Sequence, residues 1–134
     1  MTASEKISNS IESARTHVES LMQALNRKDE SSFDNSLWHL GAELEYALFL
    51  FLLKFQGQSG NSQSKWKPNP EFKRAETGPM LVEAQNLLNE AKKCMTNGEL
   101  FEAYKSAYAA RHYVLKVQED LAKKKREALK RNRV

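Results

Sequence analysis

Apolar residues recur at alternating steps of four and three along the first 25 residues of the chain. This spacing places them on one face of an α-helix, because a helix completes a turn about every 3.6 residues. The positions between them hold polar side chains, so we expect an outer helix that buries one narrow stripe. The stripe consists of Ile7, Ile11, Ala14, Val18, Leu21 and Leu25.

Capping signals divide the chain into further helical segments. Thr2 with Glu5 fits a capping box at the start of the first helix. Ser31 or Ser32 fits the N-cap of a second helix, and Gly98 supplies a left-handed residue after a third. The 5 glycines and 3 prolines are too few for a turn-rich β sandwich. The predicted helices lie near residues 4–27, 32–56, 79–96 and 99–126.

A long polar stretch separates the second predicted helix from the third. Residues 56–64 read QGQSGNSQS, and Pro68 and Pro70 follow, so residues 56–78 are expected to form a flexible loop. A loop of this length reaches from one end of a bundle to the other, so the third helix can run parallel or antiparallel to the second. We therefore predict an all-α four-helix bundle over residues 1–122, built from two αα-hairpins joined by this loop.

The second predicted helix carries more apolar surface than one core face requires. Every residue from Tyr46 to Leu53 is apolar, and Trp38, Ala42, Phe49 and Leu53 form a second stripe. The apolar run is shorter than the roughly 20 residues that span a bilayer, so no transmembrane segment is expected. Either this helix lies at the centre of the bundle or it packs against a second molecule.

A further aromatic stripe lies on the fourth predicted helix, and surplus apolar surface of this kind is typical of interfaces. The alternative is an asymmetric bundle in which these aromatic residues pack on the first helix. The candidate oligomer interface comprises Phe49, Leu53, Phe101, Tyr104 and Tyr108.

Positive charge is concentrated at the end of the chain. Residues 121–134 hold seven basic residues and one acid, whereas the other 120 residues hold 14 basic and 16 acidic residues. We predict a basic tail over residues 123–134. A segment of this kind is typical of proteins that contact a polyanion, and the alternative is a solvated overhang with no partner. The candidate nucleic-acid contacts are Lys65, Trp66, Lys67, Lys123, Lys124, Lys125, Arg126, Lys130, Arg131 and Arg133.

Residues for catalysis or metal binding are sparse. The lone Cys94 excludes an internal disulfide and a multi-cysteine metal cluster, and none of the three histidines follows a glutamate by three residues, as di-iron bundles require. We expect no catalytic residue, metal or cofactor.

No apolar leader is visible, so a cytoplasmic protein is expected, or a nuclear one in a eukaryote.

Two functions follow from these features. The first is a small non-enzymatic protein-interaction module that self-associates or serves as an adaptor subunit of a larger complex. The alternative is a nucleic-acid-binding accessory protein that uses the basic tail and the Lys/Trp loop.

Overall fold

A computed structural model of the protein describes residues 2–56 and 76–131. Within these ranges the chain forms four α-helices and no strand, which confirms the predicted all-α fold. The helices are α1 (Ala3–Arg27), α2 (Glu30–Gln56), α3 (Thr77–Thr96) and α4 (Leu100–Arg131). Most of the predicted loop, with Lys65, Trp66 and Lys67, lies outside the described residues.

Local hydrogen bonds explain where the helices begin and end. The Thr2 hydroxyl accepts from the backbone N–H of Glu5 at 3.1 Å, as predicted for the N-cap of α1. The predicted cap of α2 is wrong: the Asp29 carboxylate accepts from the backbone N–H of Ser32 at 3.2 Å and from its hydroxyl at 2.8 Å. These two bonds lower the pKa of Asp29, and α2 consequently begins two residues earlier, at Glu30. Gly98 has a φ of 77°, which is the left-handed conformation expected for the residue that follows α3.

The two hairpins, α1·α2 and α3·α4, pack through the pairs α1·α3 and α2·α4. Asp34 of α2 pairs with Lys125 near the end of α4, and Phe55 of α2 meets Phe101 at the start of α4, so these helices are antiparallel. Contacts between α1 and α3 are antiparallel as well, running from Glu12–Lys92 to Leu25–Gly78. Helices α2 and α3 are therefore parallel and occupy opposite corners, which settles the direction of the third helix.

In one part of the core, α4 presents small side chains to α2. Ala103, Ala107 and Ala110 are fully buried. Phe51 and Phe55 share a buried cluster with two of these alanines. An alanine face leaves room for large side chains from the facing helix, so the phenylalanines of α2 fill it. Phe51 is 0% exposed and makes an edge contact with Tyr104, with ring centroids 5.6 Å apart.

Two apolar residues near helix ends, Leu25 and Met95, are less buried than the residues beside them. Leu25 is 39% exposed while its neighbour Ala24 is buried, and Met95 is half-buried while its neighbour Cys94 is buried. Both lie in the last turn of their helices, at an end of the bundle where fewer neighbours are present to cover them.

Phe51 provides a test of this packing. Replacement of Phe51 by Ala should lower the free energy of unfolding by about 3–5 kcal/mol, because it removes a buried aromatic ring and leaves a cavity. Phe49→Ala is the matched control, two residues away on the same helix but on its exposed side. In the monomeric protein that variant should differ from wild type by less than about 0.5 kcal/mol in a urea melt. Equal losses in the two variants would contradict the assigned orientation of α2.

The last turns of α4 lie beyond the core. Helix α4 continues five residues past its predicted end, to Arg131. Its last fully packed residue is Val117, Leu121 is partly buried, and residues 122–131 are exposed. One charged side chain of this overhang, Lys125, forms an ion pair with Asp34 of α2. An exposed pair of this kind contributes less than about 1 kcal/mol.

Removal of residues 123–134 should therefore leave the fold intact. We expect the truncated protein to keep its helical circular dichroism and to lose less than about 1 kcal/mol of stability, the contribution of one exposed ion pair. A melting temperature that falls by tens of degrees on truncation would instead mean that the overhang packs on the body of the bundle.

Candidate functional site

Helix α2 has two apolar faces, of which one is in the core and the other faces outward. Its inner face is buried and includes Leu37, Leu40, Leu44, Ala47 and Phe51. The outward face, here called the outer stripe, consists of Trp38, Ala42, Tyr46, Phe49, Leu52 and Leu53, and all six are exposed.

The outer stripe runs along the outward face of the helix and is interrupted by one charged residue, Glu45, whose position falls within its arc. At about 100° per residue its members fall within roughly 120° of arc, nearly opposite the inner face. The stripe runs for about 22 Å, from Trp38 to Leu53, at ~1.5 Å per residue. The second stripe that the sequence indicates is thus a surface feature, and Tyr46, Phe49, Leu52 and Leu53 of the apolar run are exposed.

Its size is comparable with the largest apolar patch of an ordinary monomer. The exposed fractions are 70% for Trp38, 55% for Phe49, 47% for Tyr46 and 48% for each of Leu52 and Leu53. With about 200 Å² for each aromatic side chain and somewhat less for leucine, roughly 500 Å² of side-chain surface is accessible. The largest apolar patch of an ordinary monomer covers about 300–600 Å², and such patches are often functional.

Polar side chains border the outer stripe on both long sides. On the α4 side, Glu45 pairs with Arg111, whose guanidinium also lies 5.8 Å from the Tyr108 ring centroid. On the α1 side, His39 stacks on His17 with ring centroids 5.7 Å apart and planes 14° from parallel. An apolar strip with a polar rim has the anatomy of a protein interface.

The aromatic residues predicted on the fourth helix are in a different environment. Phe101 and Tyr104 make edge contacts with Phe55, with centroids 5.9 and 5.4 Å apart. Burial raises the pKa of Tyr104, and Tyr108 is half-buried beside it. These rings pack on α2, whereas the asymmetric-bundle alternative places them on the first helix. Of the five predicted interface residues, Phe49 and Leu53 are therefore the ones that lie in the outer stripe.

The most exposed member of this surface, Trp38, is not among the predicted interface residues. The spacing does assign it to the second stripe, since it precedes Ala42 by four residues. A polar neighbourhood around Trp38 conceals that signal, because the continuous apolar run begins only at Tyr46.

The predicted basic residues lie on helix where the structure describes them. Residues 123–131 continue α4, and six cations there are exposed to solvent. One of the six, Lys125, pairs with Asp34. The six are Lys123, Lys124, Lys125, Arg126, Lys130 and Arg131. Arg133, like the Lys/Trp loop, lies outside the described residues.

Groups with catalytic or ligating chemistry are not assembled in the described part of the chain. Residues 2–56 and 76–131 contain no cluster of three His, Cys, Asp or Glu side chains that could hold a metal ion. Burial and the nearby Glu90 raise the pKa of the Cys94 thiol, which keeps it protonated at neutral pH. Burial also lowers the pKa of His112. Cys94 thus acts as a small apolar residue of the core.

Helix α2 also satisfies a simple criterion for a membrane span. Its residues Glu30–Phe55 are long and apolar enough to cross a bilayer, although 39% of the window tested is buried inside the bundle. A core helix of a soluble protein satisfies the same criterion by length and composition. The expectation that the chain has no transmembrane segment stays a prediction.

No protein-family model, curated protein or solved structure significantly matches this chain. The function is therefore inferred from the surfaces themselves. Five of the eight large apolar side chains that are exposed in the described part of the chain lie in the outer stripe of α2.

Proposed function

We propose that the protein is an interaction module that self-associates as a homodimer through the outer stripe of α2. The observation that supports this most directly is the exposure of Trp38, at 70%, on the same outward helix face as four other exposed large apolar side chains. Leaving such side chains in water forfeits about 1.5–3 kcal/mol each relative to full burial. A second molecule that covers the row recovers this free energy.

The area of the outer stripe suits a small dimer. One partner in a standard protein interface buries about 800 Å², and weak, transient interfaces bury less than about 600 Å² on each side. The stripe supplies roughly 500 Å² of apolar side chain, and its polar border would add to that area. Burial of five half-exposed side chains contributes about 5 kcal/mol from each copy.

These magnitudes bound the affinity. Two copies together gain about 10 kcal/mol from burial, and association itself costs at least about 4 kcal/mol. The remaining ~6 kcal/mol corresponds to a dissociation constant of tens of micromolar or weaker. We therefore expect a reversible dimer whose population depends on concentration, rather than a permanent one.

Phe49→Glu should give a folded monomer. The substitution places a charge at the centre of the outer stripe, where dimer formation would have to desolvate it. We expect light scattering of the wild type to rise toward the dimer mass between about 5 and 500 μM, a range chosen to bracket the expected dissociation constant. The variant should stay at the monomer mass with an unchanged helical spectrum.

Val82→Glu is the matched control for this experiment. Val82 is an apolar residue of α3 that is 44% exposed, on the helix diagonally opposite α2. The same change of charge there should leave the dimer unaffected. A wild-type protein that stays monomeric at the highest concentration would contradict the proposed function, and so would a Phe49→Glu protein that still dimerises.

A second candidate, nucleic-acid binding, is favoured by one specific observation. Helix α4 projects past the core as an exposed helix with cations around its circumference. A helix that lacks a broad apolar face is better suited to a polyanion than to a membrane surface, which requires such a face. Phosphate contacts by these side chains would be independent of sequence.

Binding to duplex DNA should then depend strongly on salt. If most of the six cations contact phosphates, a logarithmic plot of affinity against salt concentration should have a slope of about −4 to −5. Substitution of Lys123, Lys124 and Arg126 together by Glu should abolish binding in a fluorescence anisotropy titration. Substitution of Lys93, an exposed cation of α3, should change it little. A slope near zero would contradict nucleic-acid binding through α4. Equal losses of affinity in the triple variant and in the Lys93 variant would contradict it as well.

A further inference from the structure

We propose that the two copies of α2 pair antiparallel about a two-fold axis near Glu45 and Tyr46, with Phe49 of one copy against Ala42 of the other. This geometry rests on the proposed self-association and names its register. It follows from the order of side-chain sizes along the outer stripe, from the angular positions of those side chains and from the charge on α4.

The outer stripe is complementary to itself when it is reversed. A two-fold axis between Glu45 and Tyr46 sets Trp38 opposite Leu53, and Ala42 opposite Phe49. The Trp38 and Phe49 rings then each face an aliphatic or small side chain. An interface around a two-fold axis uses the same surface twice, so it needs this kind of reversed complementarity.

The angular positions agree with the same register. Around the helix axis, Trp38 and Leu53 lie on opposite sides of the stripe's midline, whereas Ala42 and Phe49 both lie within about 20° of it. Trp38 and Leu53 therefore fill different positions across the interface, whereas the small Ala42 and the large Phe49 meet at its centre. At the axis, the Glu45–Arg111 ion pair of each copy borders one side, which leaves the two Tyr46 rings adjacent on the other.

A parallel pair fits less well, for reasons of both shape and charge. It would set Phe49 against Phe49 and Ala42 against Ala42, which crowds one level and leaves the other empty. It would also bring the two α4 overhangs together, because Lys125 packs beside Asp34 at one end of α2. Each overhang carries six exposed cations, and like charges at close range oppose association.

The antiparallel pair avoids this repulsion. Asp34, which marks the level of Lys125, lies about 17 Å along α2 from the proposed axis at ~1.5 Å per residue. The two overhangs are therefore at least ~35 Å apart, several times the Debye length of about 8 Å at physiological salt. Reversed pairing thus places the basic ends of α4 at the two extremes of the dimer.

Disulfide trapping tests the register. Ala42→Cys and Phe49→Cys proteins are prepared separately, oxidised alone and as an equal mixture, and compared on a non-reducing gel. Cross-linked dimer should form in the mixture, because the thiols introduced at positions 42 and 49 of different copies face each other. Neither protein should cross-link alone, because like positions are offset by about 10 Å along the helices, beyond the reach of a disulfide.

Two further variants complete the design. A mixture of Trp38→Cys and Leu53→Cys proteins tests the same register at its ends and retains Phe49, so a loss of affinity in the Phe49→Cys protein cannot mask the result. Val82→Cys on α3 reports collisional cross-linking. The native Cys94 can stay in place, since it is buried and should not react.

The outcomes separate the register from the self-association. Cross-linking in both mixtures and in neither Ala42→Cys nor Phe49→Cys alone supports the antiparallel register. Cross-linking of each single variant with itself indicates a parallel pair and overturns the register, and so does a dimer by light scattering that neither mixture traps. A wild-type protein that is monomeric overturns both the register and the proposed function.

Discussion

The contact between the alanine face of α4 and the phenylalanines of α2 is the constraint on which the outward surface of α2 depends. Once Phe51 enters the core against α4, residues two positions away on either side must point outward, because each is rotated by about 200°. Phe49 and Leu53 are those residues, and both are exposed. The outer stripe is therefore a direct geometrical consequence of how the core is filled, in a helix whose sequence is apolar on both sides.

Much of the fold is predictable from local patterns, and the departures from prediction have physical reasons. Spacing identifies the four helices, because a buried face repeats with the helical period. The predicted start of α2 is wrong because a carboxylate at Asp29 outcompetes the two serines as N-cap. The predicted end of α4 is too early because the cations there favour a helix C-terminus through the macrodipole even without packing. Neither the Asp29 cap nor the cations at the end of α4 produce a repeat of apolar residues that could be recognised in the sequence.

The candidate site is harder to predict than the fold. Spacing gives α2 two stripes but cannot assign either to the core, since that depends on the helix that packs against it. The same ambiguity makes Phe101 and Tyr104 resemble interface residues, although their ring contacts are with α2. Burial thus separates two groups of aromatic residues that hydrophobicity and period describe identically. The predictions for Lys65, Trp66 and Lys67 still rest on sequence alone.

The outer stripe is not needed to build the bundle. The inner face of α2 already supplies Leu37, Leu40, Leu44 and Phe51 to the core, all at most 1% exposed. Polar residues at Trp38, Tyr46, Phe49 and Leu53 would leave that core intact and would make the monomer more soluble. We propose association as the use of an apolar row that the core of the bundle does not need and that carries a cost in solubility. In that proposal, the polar border of the row and its complementarity to a reversed copy of itself favour a second copy of this chain as the partner.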